Sequence, residues 1–304
     1  MLGLRDQIAK RPNGAFFVIT FVISWSLMMP AAIVGGLEGP AAALFFLGVF
    51  GPAASAMIVT RATGGSIRVW LRRIFNFRVP ARYYLAAIAF PVILAVSASV
   101  AFALAGQSLD FGLVGERAAV FLPLFIYCLL LNGGPEELGW RGFALPGLER
   151  RHSPVRATVI LGTLWGLWHL PLLRVEENAG HDLAAFALIA ILLWTLAGFV
   201  AYSFIYTYAW NRTRSVVIAM ALHAAFNTAN GLVILRPEDE LVGSAYVTIS
   251  LALTGLLWLA ALALVIATRG RLGLEVREPD VESAPISRRT GPTVPRHPVP
   301  AARG

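Results

Sequence analysis

Eight stretches of mainly apolar residues follow one another along the chain, at 15–36, 40–60, 83–106, 118–138, 157–174, 184–208, 215–235 and 244–268. Each is close to the roughly 20 residues that a helix needs to cross the hydrocarbon core of a bilayer. Charged residues concentrate in the connections between them. The pattern predicts an all-α polytopic membrane protein of about eight transmembrane helices, forming a single transmembrane domain over residues 1–268.

Composition supports this class of protein. Hydrophobic residues make up 57% of the 304-residue chain and charged residues only 14%, and the mean hydropathy is +0.69. These values lie outside the usual range of soluble domains. The chain has one cysteine, Cys128, so neither a disulfide framework nor a cysteine-based metal site is expected.

The basic residues predict the orientation of the helices. All but three of the 25 lysines and arginines lie before the first apolar stretch, in every second connection or after the last stretch; the exceptions are Arg117, Arg174 and Arg236. Because Lys and Arg accumulate in cytoplasmic loops, both termini are predicted to be cytoplasmic. The net charge of +8 follows this distribution. No groove pattern of alternating aromatic and basic residues accompanies it, so nucleic-acid binding is not expected.

Two basic segments lie outside the apolar stretches. Residues 61–82 form the longest predicted cytoplasmic loop, and its IRVWLRRIFNF run is typical of an amphipathic helix at a membrane interface. Residues 269–304 are rich in Pro and Arg and poor in apolar residues. Such a composition predicts a disordered basic cytoplasmic tail.

Ionisable residues interrupt three of the apolar stretches. Glu136, Glu137 and Arg141 occur in LLLNGGPEELGWRGF, at the end of the fourth stretch. An ionisable group at membrane depth is costly unless it is paired or lines a wet cavity, so this cluster is a candidate functional site. Glu137 and Arg141 have the i,i+4 spacing of a helical ion pair. Glu136 points about a third of a turn away and stays available as a base or a metal ligand.

The other two interruptions contain histidine. His169 closes LGTLWGLWH, four residues after Trp165, and Gly162 with Gly166 provides small residues for close helix packing. His223 and Asn227 are also four residues apart, in SVVIAMALHAAFNTANG. Such side chains could ligate a metal, donate hydrogen bonds to an oxyanion or hold helices together.

Taken together, these residues resemble a known pattern: EExxxR, then an aromatic residue four before His, then HxxxN in a later helix. The pattern is similar to that of the CPBP family, also called the Abi or CAAX protease family, which includes the Rce1-like intramembrane endopeptidases. The resemblance covers roughly residues 118–235. One position departs from it, since Trp165 stands where the family more often has phenylalanine.

The resemblance implies a peptidase mechanism. Glu136 and His169 would activate a water molecule, and His223 with Asn227 would stabilise the oxyanion. Glu137 and Arg141 would hold the helix and fix the orientation of Glu136. A metal version would use Glu136, His169 and His223 as Zn²⁺ ligands with an open position for water. Because HExxH is absent and Asn is an uncommon zinc ligand, the metal-independent version is preferred.

The depth of the residues poses a difficulty. At 1.5 Å per residue, His169 lies about 20 Å above Arg156, and Asn227 about 20 Å above Arg214. Glu136, however, is only a few residues from the predicted cytoplasmic end of its stretch. The site therefore assembles only if this helix continues past Arg141 toward Pro146, or if the helices are tilted and broken.

Three functions are compatible with these observations. The first is an intramembrane endopeptidase acting on hydrophobic or membrane-associated peptides. The second is a noncatalytic immunity or scaffold protein of the membrane, a role that the resemblance also allows. The third is a small proton-coupled transporter, which the lack of visible inverted repeats disfavours. The near absence of lysine (Lys10 alone) is typical of GC-rich bacterial coding sequences, so the bacterial plasma membrane is the predicted location.

Overall fold

The computed structural model describes residues 3–34, 39–172, 185–234 and 243–275. Every regular element within these ranges is helical. The helices are α1 (Leu4–Lys10), α2 (Pro12–Val34), α3 (Gly39–Val49), α4 (Gly51–Ala62), α5 (Ile67–Ile74), α6 (Ala81–Leu104), α7 (Leu113–Leu130), α8 (Glu136–Gly139), a π-helical turn (Trp140–Ala144), α9 (Leu145–Glu149), α10 (Pro154–Trp168), α11 (Ala185–Thr213), α12 (Val216–Leu232) and α13 (Gly243–Ala267). The predicted all-α class is confirmed.

Five of the described helices are long and apolar enough to cross a membrane, namely α2, α6, α7, most of α11 and most of α13. A sixth span results if α3 and α4, which meet at a bend of 44°, are counted as one. The helices α10 and α12, with 15 and 17 residues, are shorter. The protein is thus a multi-pass membrane protein, while the number eight and the cytoplasmic termini stay predictions.

The break after α7 explains how Glu136 can lie at the same depth in the domain as His169 and Asn227. The chain leaves the helix at Leu131 and turns through Gly133, whose φ of +92° favours glycine. It then re-enters helical structure at Glu136 and continues through the π-helical turn to Glu149. Thirteen residues separate Glu136 from Glu149, which corresponds to about 20 Å of helix. The helix is broken before Glu136, and its second part continues past Arg141, so both structural features that could place Glu136 near the histidines are present.

Glycines allow the helices around this segment to approach closely. A Cβ on Gly139 of α8 would lie 2.5 Å from the carbonyl oxygen of Pro52, at the bend between α3 and α4. The predicted close packing at Gly162 and Gly166 of α10 is confirmed, because a Cβ on either residue would lie 2.8 Å from an atom of α11. These contacts bring α8 close to α4 and α10 close to α11.

The amphipathic segment is helical, as predicted, but its apolar side faces the protein. Trp70 Nε1 donates a hydrogen bond to the carbonyl oxygen of Gly142 in the π-helical turn, at 3.1 Å, and Ile74 is buried against the same glycine. The three arginines of α5 are exposed on its other side. Helix α5 therefore supports the segment that carries Arg141.

The packed domain extends beyond α13. After this helix the chain makes two turns, and Leu272 is buried among Val200, Phe204 and Ala261. Of the predicted tail, residues 276–304 lie outside the described residues.

Candidate active site

Glu137 connects two of the predicted site residues. It has no exposed surface, and its Oε1 atom lies 3.0 Å from Arg141 Nη1, which confirms the predicted i,i+4 pair. The same oxygen lies 2.8 Å from His223 Nδ1 on α12. A carboxylate oxygen only accepts hydrogen bonds, so Nδ1 of His223 carries the hydrogen. Glu137 thus orients the imidazole of another helix, a contact that the sequence did not reveal.

Arg141 is enclosed without water-accessible surface. Its guanidinium carbon lies 4.3 Å from the ring centroids of both Trp165 and Tyr206, and Nη2 donates to Ser203 Oγ at 3.2 Å. A desolvated cation between two aromatic faces gains cation–π attraction in addition to its ion pair. This arrangement offsets part of the cost of placing a charge deep in an apolar domain.

Glu136 accepts a hydrogen bond from Trp165. The indole Nε1 lies 2.9 Å from Oε2, and Glu136 is 3% exposed. The Trp165 ring also contacts two imidazoles edge-on, with centroid distances of 5.8 Å to His169 and 5.5 Å to His223. Phenylalanine, the more frequent residue at this position in the resembled family, has no N–H and could not make the bond to Glu136.

His169 is the residue that ends α10. Its Nδ1 atom lies 2.9 Å from the carbonyl oxygen of Trp165, and a carbonyl oxygen accepts but does not donate. Nδ1 therefore carries the hydrogen, and in the neutral imidazole Nε2 has the lone pair. The ring stacks on Phe199 of α11 with centroids 4.2 Å apart. His169 thus has the tautomer of a general base or of a hydrogen-bond acceptor for water.

Asn227 lies one turn beyond His223 on α12 and is half-buried. The backbone of Gly133 packs against both residues. A Cβ on Gly133 would lie 2.6 Å from Nε2 of His223 and 2.9 Å from Nδ2 of Asn227. The turn before Glu136 therefore needs glycine both for its φ and for this close approach.

All seven predicted side chains thus belong to a single connected region formed by α8, the π-helical turn, α10 and α12. The structure adds five residues that the sequence analysis did not select: Trp70, Gly133, Phe199, Ser203 and Tyr206. Three of them share one face of α11, at positions i, i+4 and i+7. A stripe of aromatic and hydroxyl side chains at helical spacing was the signal available for finding them.

The predicted metal ligands Glu136, His169 and His223 come from three different segments of the chain. In the described part of the chain, no three His, Cys, Asp or Glu side chains are placed so that they could hold a metal ion. As they lie here, Glu136, His169 and His223 do not form such a set. Binding of Zn²⁺ by these three residues therefore stays a prediction.

Comparison with known proteins finds a family model and a relative that match this chain. Residues 118–229 match the sequence family described as type II CAAX prenyl endopeptidase Rce1-like. The chain is also 23% identical over 265 residues to "CAAX prenyl protease 2" of Methanococcus maripaludis, an alignment that spans 83% of this chain and 92% of the relative. Both matches support the Rce1-like family for this chain. The resemblance inferred from the motifs is thereby confirmed.

The family description and the name of the relative both support a CAAX-type endopeptidase, an enzyme that hydrolyses peptide bonds. The matched segment begins in α7 and ends in α12. It contains all seven predicted site residues, from Glu136 to Asn227. The contacts described above therefore lie inside the region that defines the family.

Proposed function

We propose that this Rce1-like protein is an intramembrane endopeptidase that hydrolyses peptide bonds in membrane-associated or hydrophobic peptides. The observation that carries the proposal is the connected polar region itself. Two acids, two imidazoles and a guanidinium from separate segments of an apolar domain contact Trp165 or one another, and the carboxamide of Asn227 lies beside them at Gly133. Such a concentration of polar groups is costly in a membrane protein and is typical of functional sites.

In the proposed reaction, Glu136 acts as the general base. Its carboxylate takes a proton from a water molecule, and Nε2 of His169 accepts a hydrogen bond from the other hydrogen of that water. The hydroxide attacks the substrate carbonyl carbon and forms a tetrahedral oxyanion. Trp165 Nε1, 2.9 Å from Glu136 Oε2, occupies one oxygen of the carboxylate and leaves the other for the water.

His223 and Asn227 stabilise the oxyanion in this proposal. Nδ2 of Asn227 donates one hydrogen bond, and Nε2 of His223 donates the second when the ring carries both protons. Glu137, 2.8 Å from Nδ1, compensates the charge of that imidazolium. Each well-placed donor of this kind contributes about 3 kcal/mol to transition-state stabilisation.

The reaction ends with cleavage of the C–N bond. The proton held by Glu136 passes to the departing amine, and the products are a carboxylate and an amine. Glu137 and Arg141 act as positioning residues in the proposal, because they hold His223 and the helix that carries Glu136 but do not touch the substrate.

The substrate is proposed at the level of chemical class only. The Methanococcus maripaludis relative is named for prenyl-modified CAAX substrates, so we include prenylated peptides with other hydrophobic and membrane-associated peptides. We further propose the bacterial plasma membrane as the location, following the coding bias toward arginine.

The proposal is tested with detergent-purified protein and a library of quenched hydrophobic peptides. Wild type should cleave at least one peptide, and Glu136→Gln, which keeps the shape of the side chain but removes its basicity, should abolish turnover. Glu116→Gln is the matched control, since Glu116 is exposed on α7, and it should retain wild-type activity.

Adding a chelator distinguishes the metal-independent mechanism from the Zn²⁺-dependent mechanism. Turnover that persists in chelator would support the mechanism based on Glu136 and His169. Loss in chelator followed by rescue with Zn²⁺ would overturn it in favour of the metal version. No cleavage of any peptide by the folded wild type would overturn the peptidase proposal and favour a noncatalytic immunity or scaffold role.

A further inference from the structure

A third polar residue continues the line formed by the two proposed oxyanion donors. His223, Asn227 and Asn230 occupy positions i, i+4 and i+7 of α12, so they share one face of the helix. His223 is buried, whereas Asn227 and Asn230 are both half-buried. A carboxamide that keeps accessible surface beside the proposed oxyanion site is placed to meet a substrate.

Asn230 is held in one orientation by α11. Its Nδ2 donates a hydrogen bond to the hydroxyl of Tyr202 at 3.1 Å. The Tyr202 ring in turn packs edge-on against Phe226, with centroids 4.6 Å apart. Because the amide nitrogen is engaged, Oδ1 is the atom left to accept a hydrogen bond, and no group of the described residues donates to it.

The Asn230–Tyr202 pair lies about one helical turn from the proposed reaction centre on both helices that carry it. Phe199, which stacks on His169, precedes Tyr202 by three residues, and their ring centroids are 6.5 Å apart. On α12, the three residues from Asn227 to Asn230 correspond to a rise of about 4.5 Å. A peptide bound at Asn227 would therefore reach Asn230 within its next two residues.

The spacing of about 4.5 Å fits within the repeat of an extended peptide. Residues i and i+2 of such a peptide present their main-chain groups on the same edge, with a repeat of about 6.7 Å. The scissile carbonyl belongs to the residue before the cleaved bond. The next N–H on the same edge of the peptide belongs to the second residue after the cleaved bond, and it lies less than one repeat away from the carbonyl. In a site surrounded by apolar side chains, an unpaired main-chain N–H is costly.

We propose that Asn230, oriented by Tyr202, binds the substrate main chain by accepting a hydrogen bond from this N–H at Oδ1. The inference rests on the proposed peptidase function and deepens it. It assigns the substrate class as peptides that bind in extended form and continue for at least two residues beyond the cleaved bond. Proline or an N-methylated residue at that second position would be selected against.

The test uses one peptide sequence that wild type cleaves and two ester analogues. In the first analogue an ester oxygen replaces the N–H that Asn230 is proposed to bind. In the second it replaces the N–H of the following residue, which lies on the opposite edge of an extended chain. Products are identified by mass spectrometry, so that cleavage at the ester itself is recognised.

Wild type should cleave the first analogue about tenfold less efficiently in kcat/KM than the amide peptide, in keeping with the loss of one hydrogen bond. The Asn230→Leu side chain has a similar volume and no acceptor. This variant should therefore cleave the amide peptide and the first analogue at the same reduced rate. The second analogue keeps the N–H that Asn230 is proposed to bind, so wild type should cleave it as it cleaves the amide peptide, and Asn230→Leu should slow the cleavage of both by the same factor. A purely structural contact between α11 and α12 would lower thermal stability without producing this selective pattern.

Several outcomes would overturn the inference. Equal cleavage of the amide and first ester peptides by wild type would do so, as would a tenfold preference retained by Asn230→Leu; both leave the peptidase function intact. If Asn230→Leu does not fold, Tyr202→Phe keeps the ring on Phe226 and removes only the hydroxyl. It should reduce the discrimination, and unchanged discrimination in that variant would also contradict the proposal. Absence of cleavage by wild type would overturn the function and the inference together.

Discussion

Two clusters in the same region of the chain combine a buried glutamate, an arginine and a neutral N–H donor. In the deep cluster, Glu137 pairs with Arg141 at 3.0 Å and both side chains are fully buried. In the second cluster, at the end of α9, Glu149 lies 3.9 Å from Arg214, whose side chain is 47% exposed. Asn211 Nδ2 donates to Glu149 at 2.6 Å, as Trp165 Nε1 donates to Glu136 in the deep cluster.

The difference between the clusters is the access of water to the cation. Arg214 can be hydrated, so its attraction to Glu149 is screened and contributes little. Arg141 is fully buried, and within the described residues its hydrogen bonds and ring contacts are with Glu137, Ser203 and two aromatic faces. Removing one partner there leaves a charge that water cannot reach. We infer that the deep cluster is indispensable for both stability and activity and that the second cluster can be altered.

The largest effect is expected from neutralising the acid of each cluster. Glu137→Gln should destabilise the protein by about 3–5 kcal/mol, the usual cost of breaking a buried ion pair. It should also reduce peptidase activity at least about a hundredfold, since His223 loses its orienting carboxylate. Glu149→Gln, the matched change, should cost about 1 kcal/mol or less and keep activity.

Stability can be followed in detergent by thiol labelling during heating, because Cys128 is the only cysteine and is buried. Equal shifts in Tm for Glu137→Gln and Glu149→Gln would contradict the contrast drawn between the clusters.

An intermediate effect is expected from removing the neutral donor of each cluster. Trp165→Phe keeps a ring beside Arg141 and deletes the hydrogen bond to Glu136, so kcat should fall by about tenfold or more, as expected for a bond to a charged group. KM should change little, because Trp165 is not proposed to touch the substrate.

The matched change in the second cluster is Asn211→Leu, which removes the donor to Glu149 and should leave kcat unchanged. A Trp165→Phe enzyme with wild-type kcat would show that the indole N–H has no part in holding Glu136.

The smallest effect is a dependence of stability on pH. Burial raises the pKa of Glu149 above its usual range, although the Asn211 hydrogen bond and Arg214 lower it in part. The folded state therefore binds the Glu149 proton more tightly than the unfolded chain does. Proton binding at Glu149 stabilises the fold at low pH, and this stabilisation is lost as pH rises through the raised pKa.

Wild type should accordingly gain Tm relative to Glu149→Gln as the pH is lowered from neutrality toward 5. The difference should correspond to about 1 kcal/mol or less. A Tm difference that is constant over this range, or of opposite sign, would argue against a raised pKa at Glu149.

Much of the site could be predicted from the sequence because its residues violate a strong rule. Charged and imidazole side chains are rare in apolar stretches, so Glu136, His169 and His223 were conspicuous without any structure. Helical periodicity also predicted the Glu137–Arg141 pair and the close packing at Gly162 and Gly166. These predictions depended only on local spacing along one helix.

Contacts between helices could not be predicted from the spacing of residues along one helix. Ser203 and Tyr206 were overlooked because a hydroxyl or an aromatic ring is common in a membrane helix and indicates no particular partner. The role of Trp165 was underestimated for a related reason. In the sequence, tryptophan in place of phenylalanine at position 165 is a conservative exchange of one aromatic ring for another. The structure shows that the indole N–H of Trp165 lies 2.9 Å from Glu136.

The sequence by itself determined the class of protein, the resemblance to the Rce1-like family and the chemical groups available for catalysis, since hydrophobic runs, charge placement and motif spacing are properties of the linear chain. Only the tertiary structure decided that the helix breaks after α7, in the turn at Gly133, so that Glu136 reaches the depth of the histidines. It also decided that Glu137 bonds to His223 and that Tyr202 accepts a hydrogen bond from Asn230, while no group of the described residues donates to Asn230 Oδ1. The physical reason is that polar groups in an apolar domain must find partners, and which partners they find depends on how the helices pack.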